Sequence, residues 1–83
     1  MSINTAENST TLFPNPSLNE LNISSTQLLS TVIIYDIYGR QISFSDKINS
    51  SSLLLNINSW AAGLYVVKIH LGNSIETISF EKL

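Results

Sequence analysis

Short runs that alternate apolar and polar residues, cut by turn residues at roughly 8–12 residue intervals, dominate this chain and leave it few folds to choose from. A side-chain period of two belongs to a strand with one buried face. Glu20-Leu21-Asn22-Ile23-Ser24 has this period. Thr31-Val32-Ile33-Ile34-Tyr35-Asp36-Ile37 is almost wholly β-branched or aromatic, and it predicts a central strand. Tyr38-Gly39-Arg40 predicts a tight turn in which Gly39 supplies positive φ. Gln41 to Ser45 then returns as the hairpin partner, with Ile42 and Phe44 on the core face. Leu53 to Ile57 makes the next strand and turns Leu53, Leu55 and Ile57 one way. A crossover from Asn58 to Gly63 is anchored by Trp60. Leu64 to Leu71 points Tyr65, Val67 and Ile69 inward and Lys68 and His70 outward. Gly72-Asn73 turns the chain into a last strand, Ser74 to Lys82, with Ile78 and Phe80 inward.

No segment shows sustained helical spacing. Ser (14), Asn (9) and Thr (6) together exceed a third of the 83 residues, while Ala occurs three times, so helix propensity is low. The expected fold is all-β: a small antiparallel β-sandwich of about six or seven strands. A chain this short buries only about 60% of the surface its unfolded form exposes, and it has no cysteine to staple it. One domain is expected, a sandwich over residues 12–83, preceded by a flexible polar linker over residues 1–11. Leu12-Phe13-Pro14-Asn15-Pro16 suits a sheet edge, because proline lacks a ladder donor. Asn19 is the expected left-handed residue of the turn that follows.

Ten charged side chains with a net charge of −2 argue against nucleic acid and against anionic membrane surfaces. The longest apolar run, Trp60 to Val67, falls far short of the roughly 20 residues of a membrane span. The N-terminus has neither the basic nor the apolar region of a secretory signal, which on an excised fragment says nothing of where the parent chain lives.

Catalytic chemistry has little to work with. The single histidine, His70, sits beside Lys68 on the wet face of a strand, with no nucleophile elbow anywhere in the chain. Asp36, Asp46, Glu20, Glu76 and Glu81 are scattered singly. No run of carboxylates has calcium-site spacing, so neither a metal nor a cofactor is expected. Asp36 is expected to accept backbone N–H bonds in the Tyr38-Gly39-Arg40 turn and to pair with Arg40. Tyr65 is expected to bond a loop through its hydroxyl. The glycosylation-type triplets at Asn8, Asn22 and Asn49 are what chance provides in a chain rich in Asn and Ser.

Four segments carry a family resemblance. Leu12-Phe13-Pro14-Asn15-Pro16-Ser17, Val32 to Ile42 with its Asp36, Gly39 and Arg40, Leu55 to Ile69 around Gly63-Leu64-Tyr65, and Thr77 to Lys82 occur in the order and spacing of one pattern. The chain resembles the C-terminal sorting domain of proteins exported by the bacterial type IX secretion system. It departs from that pattern at Asn19, where glycine is usual, and at Trp60, where a smaller aliphatic is usual. Its tail, with Lys82 alone, is less basic than many relatives.

The resemblance implies an immunoglobulin-like sandwich that is not an enzyme. It implies a label at the end of Bacteroidota cargo, carried through the periplasm and across the outer membrane to the cell surface or medium. The implied partners are the outer-membrane shuttle, the translocon, the sortase and the N-terminal cargo domain of the same parent chain. Candidate recognition residues are Pro14, Asn15, Pro16, Ile78, Phe80, Glu81 and Lys82; Asp36, Gly39, Arg40, Gly63 and Tyr65 are the structural turn residues. Two other readings compete. One is an immunoglobulin-like glycan- or protein-binding module with Trp60 as its stacking residue, and the other is a structural cap on a neighbouring catalytic domain.

Overall fold

In the computed structural model, which describes residues 9–83, seven strands form two antiparallel sheets. The strands are β1 (Thr10–Phe13), β2 (Glu20–Leu29), β3 (Thr31–Asp36), β4 (Gln41–Ser45), β5 (Ser50–Asn56), β6 (Gly63–Leu71) and β7 (Ser74–Lys82). One sheet has the order β1-β2-β5 and the other β4-β3-β6-β7, so β3 is internal, as its β-branched composition predicts. Residues 1–8 of the expected linker, including Asn8 of the first glycosylation-type triplet, lie outside the described residues. The first strand starts before Leu12: Thr10 is buried, and Thr10 and Thr11 pair with Ser25 and Ser24.

The core lies between the sheets and follows the period-two pattern. Leu21 and Ile23 of β2, Val32 and Ile34 of β3, Tyr65, Val67 and Ile69 of β6 and Phe80 of β7 are all buried, and Ile57 joins them from the crossover. Leu53, Leu55, Trp60 and Ile78 pack against this set from its margins. Phe80 stacks on Tyr65 at 5.4 Å between ring centroids, and Trp60 lies 5.3 Å from Tyr65. The tryptophan thus fills the volume that a smaller aliphatic would leave empty.

Three expectations need correction. Ile42 and Phe44 are not core residues; they are 40% and 55% exposed. The cause is a bulge. Tyr35 pairs with Gln41, but Ile34 pairs with Ser43, Ile33 with Phe44 and Val32 with Ser45. One extra residue in β4 reverses the face of everything after it. Without it, Ile42 and Phe44 would oppose the buried Ile34 and Val32. Second, Asn19 is not left-handed; positive φ outside glycine occurs at Lys47 and Asn49, in the β4–β5 loop. The turn before β2 is held instead by pairing, since Ile57 N–H donates to Asn19 O at 2.9 Å. Third, β5 begins at Ser50, three residues before the apolar run that announces it.

Candidate recognition site

The hairpin turn forms as expected. Asp36 Oδ1 accepts the N–H groups of Tyr38 and Arg40, both at 2.9 Å, and Oδ2 takes Arg40 Nε at 2.7 Å. Gly39 has φ of +81° and Gly63 +144°, so both turn glycines occupy backbone that L-residues avoid. Removal from water alone would raise the Asp36 pKa. The Arg40 backbone and side-chain donors, with Tyr38 N–H, outweigh that and hold it below the usual carboxylate range. Tyr65 Oη donates to Ala61 O at 2.6 Å, tying the crossover to β6. Asp36, Gly39, Arg40, Gly63 and Tyr65 lie at one end of the four-stranded sheet. A groove of about 340 Å³ runs beside them, lined by Asp36, Tyr38, Arg40, Ile42, Trp60 and Leu64.

Pro14, Asn15 and Pro16 are exposed, and the structure brings them onto the end of β7. Ser17 N–H donates to Glu81 O and Leu83 N–H to Ser17 O, both at 2.8 Å, and Ser17 and Lys82 form a parallel bridge. Asn15 Oδ1 accepts Glu81 N–H at 3.1 Å. Ser17 is fully buried, and its hydroxyl donates to Pro14 O. Two segments more than sixty residues apart in sequence thus make one corner.

The last strand contributes unevenly to that corner. Glu81 is exposed and Ile78 half-buried. Phe80 is 1% exposed and Lys82 5%, with Lys82 Nζ donating to the Leu83 main-chain oxygen at 2.7 Å. Phe80 and Lys82 shape the strand from beneath rather than offering side chains to a partner. The expectation that Ile78 to Lys82 is an open edge also narrows. Glu81 and Leu83 turn their main-chain groups to Ser17 and Asn15, so by alternation only Ser79 is left facing outward within that stretch, with Thr77 just before it.

Sequence reasoning missed a second tie. Glu76 Oε2 accepts Ser9 N–H at 3.0 Å and Ser9 Oγ at 2.9 Å, fastening the start of β1 to β7. Burial pushes the Glu76 pKa up, but the Ser9 and Thr10 donors beside it prevail and lower it. Glu76 stands on the inward parity of β7, with Ile78 and Phe80, which was the available signal. A carboxylate on a core-facing register needs a partner. Among the described residues no cluster of three or more His, Cys, Asp or Glu could hold a metal, and no helix is long and apolar enough to cross a membrane.

The family model described as the secretion system C-terminal sorting domain matches residues 11–82. The chain belongs to that family. The match runs from the second residue of β1 to the last residue of β7, so the Asp36 turn and all of the corner but Leu83 lie inside it. No curated protein matches the sequence. Among solved structures, the chain is similar to PorZ, an essential bacterial surface component of the type-IX secretion system of Porphyromonas gingivalis. The TM-score is 0.76 at 21% identity, over 89% of this chain and 11% of PorZ, so the shared feature is the fold. The sorting domain therefore spans about a tenth of the length of that protein.

Proposed function

We propose that this sorting domain is a non-catalytic export label. It directs an N-terminally attached cargo through the type IX machinery, across the outer membrane, to the cell surface or medium. In this reading the shuttle, translocon and sortase are its partners, and the corner of Pro14 to Ser17 with Glu81 to Leu83 is what they read. The observation that supports the reading is the closure of that corner by Asn15 and Ser17 on Glu81 and Leu83. A partner that reads this surface tests both ends of the domain at once, and a chain whose last strand is missing or unfolded presents no corner. Pro14, Asn15 and Pro16 supply the exposed part, while Phe80 and Lys82 hold the strand in place from within.

The test compares cargo fusions. Removing Glu81 to Leu83, or replacing Asn15 by alanine together with Ser17 by proline, which deletes the N–H that Glu81 O accepts, should leave the fusion in the periplasm. Asp36→Asn weakens the domain two strands away from β7, touches none of the corner's bonds, and should leave export intact wherever the domain is still folded. Normal surface delivery of the truncated fusion would remove the corner from the account.

A further inference from the structure

The four strand edges of this sandwich are protected unequally. On one side, β1 and β7 are closed on each other by Ser9 with Glu76 and by Ser17 with Glu81 and Leu83, and Pro14 follows β1 directly. On the other side, β4 has the bulge and is flanked by Arg40, Asp46 and Lys47. Charge, proline and bulges are the devices that keep edges apart. The edge of β5 has none of them along Ser52 to Asn56. No charged residue occurs between Lys47 and Lys68, and the irregularity in the β2–β5 pairing lies between Ser24 and Leu29, beyond that stretch.

The direction of its main-chain groups follows from the ladder. Ile57 N–H points to Asn19 on the β2 side, and Leu55 and Leu53 share its parity, opposite Leu21 and Ile23. Ser52, Leu54 and Asn56 therefore turn their N–H and C=O groups away from β2. Among the described residues, the one bond made by these outward donors is a long one, from Ser52 N–H to Ser50 Oγ at 3.3 Å. Leu54 is 56% exposed, with Leu53 and Leu55 only partly buried on the opposite face.

We infer that β5 is a self-association edge whose occupant is the β5 strand of a second copy of this chain. Antiparallel pairing about a two-fold axis at Leu54 places Leu54 opposite Leu54 of the other copy, Leu53 opposite Leu55, and Ser52 opposite Asn56. The outward N–H and C=O groups of Ser52, Leu54 and Asn56 are then mutually satisfied. The two three-stranded sheets become one of six strands, and no charge meets a like charge. A symmetric interface must be complementary to itself, and the Ser-Leu-Leu-Leu-Asn stretch is so in this register. The area is small, so the dimer is weak, with a dissociation constant in the micromolar range or above. This edge lies on the side of the sandwich away from the corner and does not depend on the sorting reading.

Sedimentation velocity on the full chain, from low micromolar to millimolar concentration, tests the inference. The mass should rise toward that of a dimer, and hydrogen exchange should show the Leu54 amide gaining protection with concentration while Thr77 and Ser79 gain none. Leu54→Lys should weaken association roughly tenfold or more. Leu54→Pro, which removes the outward donor but no β2 ladder bond, should do the same in a domain that still melts cooperatively. Ser79→Lys, on β7, should leave association unchanged. A monomer at every concentration, a dimer indifferent to both Leu54 variants, or one abolished by Ser79→Lys would overturn the inference.

Discussion

Asp36 shows how much one side chain organises here: a single carboxylate satisfies two backbone donors and one guanidinium between Asp36 and Arg40. Its folded pKa is depressed, so its contribution to stability is fully present above the unfolded value of about 4 and lost as pH falls through the folded value. Glu76 acts in the same direction through Ser9. Asp36→Asn should therefore lower Tm at neutral pH, and the gap from the parent chain should close as the solution is acidified. Melting curves across that range check it, and a constant gap would contradict the assignment. Gly39→Ala meets no neighbouring atom within 4 Å, so its cost is the left-handed backbone alone, roughly 1–2 kcal/mol by denaturant titration. The Asp36 turn was legible in the sequence because all its partners are local. Glu76 was harder, since its partner Ser9 is 67 positions away and nothing local announces the pair.

At the scale of strands, alternation placed most of the core correctly and failed where pairing overrode it. Tyr65, Val67, Ile69 and Phe80 face inward as their spacing predicts. Phe44 does not, because the bulge in β4 is a property of two strands together and leaves no mark on either one alone. Deleting Ile42, the extra residue, should remove the bulge and leave Phe44 opposite Ile33 on the outer face. An NMR contact between the Phe44 ring and the Ile33 side chain, with none to Val32, would check this. Phe80 packs inward against Tyr65 and Trp60, with ring centroids 5.4 and 6.5 Å away. Phe80→Ala should cost roughly 3–5 kcal/mol. In a domain whose total stability is about 5–15 kcal/mol, that leaves little margin, so an export defect in this variant must be separated from unfolding. Tyr65→Phe removes only the bond to Ala61 and should cost about 0.5–1.5 kcal/mol by the same titration.

Across the whole molecule, the sandwich is closed on one side and open on the other. The closed side holds both the entry of the chain at Ser9 and the corner at Glu81 to Leu83. The sequence pattern marked Pro14-Asn15-Pro16 and the last strand as separate candidates; that they are one place depends on a parallel bridge between Ser17 and Lys82 that no local rule foresees. The structure also shifts the boundary of a useful fusion from residue 12 to Ser9, since Ser9 and Thr10 belong to the fastening. The central claim is that this domain is sufficient as an export label. Residues 9–83 should therefore be fused to a fluorescent protein behind a signal peptide and expressed in Bacteroidota hosts with and without the type IX system. The account predicts fluorescence at the surface or in the medium only where the system is intact, and periplasmic retention where it is not. Equal distribution in the two hosts would contradict it.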